Sequence, residues 1–184
     1  MNKKQILWIT QTAMFIALLV TWQTFAGPLG QFVIGSGVNF VLVSACILVG
    51  LPSAIIVGIV SPLLAFMITA RPAFPVIIPF VMAGNALLVV AVHFISVKSY
   101  ANFDLRAYIR MGLAVVAGSV IKFLMLWVGV VHVALPFLIP DIMPPQVTAL
   151  SHMFSWPQLV TALIGSTLAM IVMPNLIKAL KLSR

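Results

Sequence analysis

The stretch VNFVLVSACILVGLPSAIIVGIVSPLLAF, residues 38–66, decides the fold. It contains no charged residue, and its two apolar halves are separated only by GLPS at residues 50–53. A glycine followed by a proline is typical of a helix boundary. With its flanking residues, each half approaches the roughly 20 apolar residues that a helix needs to cross a hydrocarbon core of about 30 Å. The stretch therefore predicts two membrane-spanning helices joined as a tight hairpin.

The same apolar character continues in both directions along the 184-residue chain, which is 63% hydrophobic and only 7% charged. Gly, Pro and charged residues divide it into six segments, approximately 6–26, 35–51, 53–70, 75–97, 107–133 and 154–175. The first segment is long and lacks a clear small-residue cleavage site, so we interpret it as a retained helix rather than a signal peptide. The sequence predicts an all-α integral membrane protein of six transmembrane helices in a single domain, residues 1–184.

Two connections differ from simple solvated loops. Residues 27–37, GPLGQFVIGSG, are too rich in glycine to favour a helix and too apolar for a solvated loop, so we expect them to dip into the protein. The connection that starts at residue 132 and runs to residue 157 is rich in Pro and Met and is long enough to cover a site with its residues 132–153. We expect it to pack on the protein.

The basic residues report on topology. Six spans place eight of them on one side of the membrane, namely Lys3, Lys4, Lys98, Arg106, Arg110, Lys178, Lys181 and Arg184. Arg71 alone falls in a connection on the other side. The positive-inside rule then predicts that both termini are cytoplasmic. The net charge of +8 does not indicate nucleic-acid binding, because the basic residues are dispersed among apolar runs instead of forming one patch.

Lys122 is the basic residue that lies inside an apolar run. It follows the cytoplasmic end of its predicted helix by about 12 residues, or about 18 Å, which is at or beyond mid-membrane. A charged side chain at that depth usually faces a bundle interior or a wet cavity. We interpret Lys122 as a ligand contact, the alternative being a side chain that reaches the outer interface or a backbone carbonyl.

Other polar residues are predicted at the same outer half of the membrane, where they can converge on one pocket with Lys122. The predicted substrate-binding residues are Gln23, Asn39, Arg71, Asn85, Lys122, Trp156, Gln158 and Thr161. Each Asn or Gln alone is equally well explained by a hydrogen bond to a neighbouring helix. Arg71, at the mouth of this pocket, either binds an anionic group or marks the membrane interface.

Several classes of function are disfavoured because the sequence lacks the residues or motifs that they need. Asp104 and Asp141 are the only carboxylates, and both lie outside the apolar runs, so no intramembrane acid is present for a proton relay or a cation site. The chain has no phosphate-binding loop, no metal-binding motif and no nucleophile–base–acid set. Cys46 lies in an apolar run and behaves as a small hydrophobe. We therefore expect no catalytic activity, no metal and no cofactor.

Three pairs of small residues at four-residue spacing predict close helix contacts: Ala13 with Ala17, Ala54 with Gly58, and Gly165 with Ala169. A bundle with an outer pocket and no energy source needs a partner to move its ligand. We assign the first pair to partner binding and the other two to packing within the bundle.

The whole chain resembles the substrate-binding S component of energy-coupling factor (ECF) vitamin transporters. AMFIA at residues 13–17 matches the AxxxA docking motif of that family, and residues 38–66, IPFVMAGNALLV and FSWPQLVTALIG are similar to the group that shares one energising module among several S components. The resemblance implies capture of a B-group vitamin or precursor from outside a bacterial cell. It also implies docking through Ala13 and Ala17 to a membrane coupling subunit driven by two cytoplasmic ATPases, in the plasma membrane.

The identity of the vitamin stays open. The lack of buried carboxylates argues against a cationic vitamin. A ring such as pyridoxine or a hydroxymethylpyrimidine is our first expectation, followed by pantothenate and then cobalamin. An independent secondary carrier and a non-transporting membrane scaffold are the alternative functions.

Overall fold

The computed structural model describes residues 2–70, 72–96 and 105–179, and the regular structure in these ranges is entirely helical. The α-helices are α1 (Lys3–Phe25), α2 (Gln31–Leu48), α3 (Leu51–Thr69), α4 (Ile78–Ser96), α5 (Leu105–Leu126), α6 (Pro144–Met153) and α7 (Trp156–Ala179). Short 3₁₀ turns, Gly27–Leu29 and Pro75–Ile77, precede α2 and α4, and a π-helical segment, Trp127–Leu138, continues α5.

Six helical stretches of the described chain are long and apolar enough to cross a membrane. They are α1, α2, α3, Pro75–Ser96, Leu105–Leu138 and Pro144–Ile177. The predicted six-span, all-helical architecture is thereby confirmed, and the protein is a multi-pass membrane protein. The fifth and sixth stretches have 34 residues each, longer than the predicted segments 107–133 and 154–175.

The helix boundaries follow local chemistry. Asn2 caps α1, because its Oδ1 accepts a hydrogen bond from the Gln5 N–H at 3.0 Å while the Gln5 side chain accepts one from the Asn2 N–H. Gly50 separates α2 from α3 with a φ of 116°, which glycine adopts without steric cost, and Pro52 then lies in the first turn of α3. The predicted hairpin is thereby confirmed at the GLPS sequence.

The bundle is built around α2, α7, α5 and α4. Helix α2 packs along α7, α7 packs on α5, and α5 packs on α4, while α3 contacts α4 and α2. The backbones of α7 and α2 approach closely at Gly165, where the Cβ atom of any other residue would collide with the carbonyl oxygen of Ser36 on α2. Only glycine fits at this crossing. Helix α1 is peripheral, with contacts to α2 and α3 and only Thr12 and Leu19 buried.

The first connection differs from the prediction. The sequence predicts an irregular segment over residues 27–37, but α2 begins at Gln31 and includes both Gly35 and Gly37. These glycines serve helix packing rather than a break, because a Cβ atom on Gly37 would collide with the Trp22 indole and one on Gly35 would lie 2.9 Å from the Thr161 side chain. Close tertiary contact has outweighed the low helix propensity of glycine.

The long connection is also more helical than expected, since the π-helical segment reaches Leu138 and α6 follows at Pro144. The expectation that it packs on the protein is confirmed. Leu135, Leu150 and Phe154 are buried in one cluster with Ile77 and Leu126. The connection therefore forms a covering layer over one end of the bundle.

Candidate functional site

A buried lysine lies at the centre of the bundle. Lys122 on α5 is only 3% exposed, and its Nζ donates hydrogen bonds to Oδ1 of Asn39 on α2 at 2.6 Å and to Oδ1 of Asn85 on α4 at 2.7 Å. Both distances are within hydrogen-bonding range for an amine donor and an amide oxygen. The lysine thus joins three helices through two amide oxygens.

The two asparagines are held in the orientation that this arrangement needs. The amide nitrogen of Asn39 donates to the carbonyl oxygen of Gly35 at 2.8 Å, and that of Asn85 donates to the carbonyl oxygen of Gly58 on α3 at 3.1 Å. Because each NH₂ group is turned towards a backbone carbonyl, each Oδ1 is left to face Lys122. The polar network therefore connects α2, α3, α4 and α5.

A cavity of about 550 Å³ opens beside this network. It extends from Lys122, in the middle of the fifth span, to the end of the bundle where α1 and α3 finish and α2 and α7 begin. Its wall is mostly apolar, with polar side chains from several helices, and it has the size and character of a small-molecule site. Leu150, Met153 and Phe154 of the covering layer complete the wall.

Five of the eight predicted substrate-binding residues line this cavity: Gln23, Asn39, Asn85, Lys122 and Gln158. They come from α1, α2, α4, α5 and α7, so the structure brings together side chains that are far apart in the chain. Their roles in binding stay predictions.

Two of the other three predicted residues, Thr161 and Trp156, do not line the cavity wall. Thr161 is fully buried behind it, and its hydroxyl donates to the carbonyl oxygen of Gln158 at 3.1 Å. Trp156 is 51% exposed and packs against the rings of Phe32 and His152 at centroid distances of 5.6 and 5.7 Å. Arg71 lies outside the described residues.

Sequence reasoning missed two polar residues of the cavity wall, Gln31 and Thr69. Gln31 is the first residue of α2, in the connection that is predicted to be irregular, and Thr69 is the last residue of α3. Following α3 to its outer end would have identified Thr69, since that end is predicted at the same depth as Gln23. Nothing in the local sequence distinguishes Gln31 from a loop residue.

One wall residue has an unsatisfied acceptor. Oε1 of Gln23 is buried and finds no hydrogen-bond partner in the described structure. A buried acceptor without a donor is costly. It is a group that a ligand N–H or O–H is suited to satisfy.

The described cavity wall contains a basic group but no acidic group. It includes the Lys122 amine and several amides but no carboxylate, and Asp141 is exposed on the connection before α6. Within the described chain, no three His, Cys, Asp or Glu side chains are grouped so as to hold a metal ion. The polar wall is therefore suited to hydrogen bonding and to binding negative charge.

Ala13 and Ala17 do not line this cavity and are exposed on the outward face of α1. Thr12 and Leu19, which are buried, occupy the opposite side of the helix and contact the bundle. The other two small-residue pairs are inside: Ala54 and Ala169 are fully buried, and Gly165 touches α2. The first pair is thus available to a neighbouring helix.

In comparisons with known proteins, no family model, no curated protein and no solved structure matches the chain.

Proposed function

We propose that this protein is the membrane-embedded substrate-binding subunit of an ECF-type importer and that it binds a B-group vitamin or vitamin precursor. One observation supports this most directly: a cavity of about 550 Å³ lined by polar side chains from six different helices. Pockets of about 300–1,000 Å³ with an apolar wall and a few convergent polar groups are typical of small-molecule sites. A B-group vitamin or precursor of modest size fits this description.

The position of the cavity supports capture from outside. It opens at the end of the bundle that is opposite to the start of α1 and the end of α7. If both termini are cytoplasmic, as the positive-inside rule predicts, that end faces the exterior of the cell. The membrane in this proposal is the bacterial plasma membrane.

Transport then depends on partners. The exposed pair Ala13 and Ala17 offers a surface without bulk on a peripheral helix, which favours close approach by a second transmembrane helix. In the proposed assembly this second helix belongs to a membrane coupling subunit, and two cytoplasmic ATPase subunits supply the energy. The described chain itself contributes binding.

The binding function is tested on the purified protein. A panel of pyridoxine, hydroxymethylpyrimidine, pantothenate and cobalamin is titrated by calorimetry without ATP, and mass spectrometry identifies any co-purified ligand. We expect one compound to bind tightly, Lys122→Met to weaken it, and Lys4→Met, at an exposed lysine near the start of α1, to leave it unchanged. If no compound binds and no ligand co-purifies, the proposal is wrong.

A scaffold function is the second candidate, because the Lys122 bonds to Asn39 and Asn85 are interhelical and stabilise the bundle without any ligand. A scaffold predicts that Lys122→Met changes stability but that no small molecule binds. The cavity is the observation that a pure scaffold leaves unexplained.

A further inference from the structure

The charge in the cavity is unbalanced. Lys122 is 3% exposed, and the described cavity wall provides amide and hydroxyl groups but no carboxylate as a partner. Asp104 lies outside the described residues. Asp141 is exposed and does not line the cavity. A buried cation normally requires an opposite charge as well as hydrogen bonds.

The hydrogen bonds of Lys122 leave room for one more acceptor. An ammonium group has three N–H donors. Two of them are used by Oδ1 of Asn39 and Oδ1 of Asn85, and no other described residue accepts from Nζ. Because Nζ belongs to the cavity wall, the remaining donor is suited to an oxygen atom of the bound molecule.

The asparagines strengthen this preference for an anion. Both Oδ1 atoms are committed to Lys122 and both amide nitrogens have one N–H committed to a backbone carbonyl. Each amide nitrogen has a second N–H, so the network still offers donors next to the ammonium group. Donors around a buried positive charge favour an acceptor with negative charge over a neutral ring nitrogen.

Lys122 is the one charged side chain of the described cavity wall, and its charge sets the number of negative charges that this wall can balance. One ammonium group balances one carboxylate, whereas a phosphate dianion would leave a net negative charge in the same low-dielectric space. The rest of the described wall, with Gln23, Gln31, Gln158 and Thr69, suits uncharged hydroxyl and amide groups. We propose, on the basis of the binding function proposed above, that the ligand is a small monocarboxylate whose carboxylate binds Nζ of Lys122.

Matched pairs of compounds test this proposal on the purified, full-length protein. Each acid is compared with an uncharged analogue of nearly the same shape: pantothenate with pantothenol, nicotinate with nicotinamide, biotin with biotinamide, and pyridoxate with pyridoxine. Affinity is measured by calorimetry. We expect at least one acid to bind about 10- to 100-fold more tightly than its uncharged partner, which corresponds to a hydrogen bond to a charged group. Lys122→Met should remove most of this difference.

The outcomes separate the two proposals. If an uncharged member of a pair binds as tightly as its acid or more tightly, the monocarboxylate proposal is wrong and the binding function stands. If no acid binds but hydroxymethylpyrimidine or cobalamin does, the monocarboxylate proposal is again wrong and the binding function stands. If no compound of either panel binds and no ligand co-purifies, both proposals fail. Should Lys122→Met not fold, the comparison of each pair on the unaltered protein still decides the question.

Discussion

The amine of Lys122 on α5 and the amide oxygen of Asn39 on α2 lie 2.6 Å apart in the interior of the bundle. Asn85 on α4 accepts a second bond from the same amine. The group that joins these three helices also forms part of the cavity wall. Under the proposed function, stability and ligand binding depend on the same atoms, and variants must be designed to separate them.

Asn39→Leu tests how much the hydrogen bond between Lys122 and Asn39 contributes to stability. It removes one of the two described acceptors of a buried cation, so we expect the free energy of unfolding to fall by about 1.5–3 kcal/mol. Adding Lys122→Met should recover part of the loss, because the double variant has no unpaired charge. The measurement is thermal unfolding of the ligand-free protein in detergent.

Asn175→Leu is the matched control for this substitution. Asn175 is exposed on α7, and its amide nitrogen donates to the Ile171 carbonyl oxygen of its own helix at 2.9 Å. A change within about 0.5 kcal/mol is expected there. Strictly additive effects of Asn39→Leu and Lys122→Met would contradict the coupling.

Gln23→Met also separates binding from stability, because it is expected to raise the stability of the ligand-free protein while lowering its affinity. It replaces an amide whose buried oxygen has no described donor by an apolar side chain of similar length, so the unfolding free energy without ligand should rise by about 1 kcal/mol. Vitamin affinity should fall if the ligand donates to this oxygen. Gln146→Met, at an exposed position of α6, is the control for both measurements. A loss of stability would show that Gln23 has a structural role.

The covering layer gives a prediction about ligand escape. Phe154 is 5% exposed, belongs to the buried cluster with Ile77 and Leu126, and lines the cavity, whereas Phe137 is 75% exposed. Phe154→Ala should reduce the unfolding free energy by about 3 kcal/mol and speed ligand dissociation, because both packing and closure are lost. Phe137→Ala should change neither. Stopped-flow displacement measures the dissociation rate, and equal rates for the two variants would exclude a closing role for Phe154.

The polar part of the site is predictable from sequence because depth follows residue number along a helix. At about 1.5 Å per residue, Asn85 and Lys122 are predicted at the same depth, and they are hydrogen-bonded. The direction in which a side chain points is harder to predict from the sequence. Trp156 begins the same helix as Gln158, yet it turns towards Phe32 and His152 instead of the cavity.

The first connection could not be predicted, because its helix depends on contacts between distant segments. Gly35 and Gly37 disfavour a helix locally, and only the proximity of Thr161 and Trp22 makes small residues the ones that fit there. For the same reason, the sequence did not identify Gln31 as a residue of the cavity wall. Its place in the cavity wall follows from a helix that the local sequence argues against.

The proposed orientation in the membrane is tested with single cysteines. The native Cys46 is buried, so it should react little with a membrane-impermeant maleimide. Asp141→Cys, on the exposed connection before α6, should label in intact cells, whereas Lys4→Cys, near the start of α1, should label only after the membrane is opened. The reverse pattern would place the termini outside and would also turn the cavity towards the cytoplasm.

The small-residue pairs have opposite environments. Ala13 and Ala17 are exposed on α1, while Gly165 touches the α2 backbone and Ala169 is fully buried. Spacing alone does not distinguish partner binding from internal packing, but exposure does. This contrast supplies a partner-site variant and a bundle variant within one chain.

Ala13→Trp and Ala17→Trp should leave vitamin affinity nearly unchanged and abolish uptake by the complete complex, because a bulky ring on the outward face of α1 blocks a close helix contact. Gly165→Trp should instead impair folding and binding, since even a Cβ atom collides with the Ser36 carbonyl oxygen. Calorimetry measures binding, and uptake is measured in proteoliposomes with and without the partner subunits. Equal loss of binding and uptake in the alanine variants would assign the pair to the bundle. Uptake by the chain alone would identify an independent carrier, for which the outward alanines have no transport role.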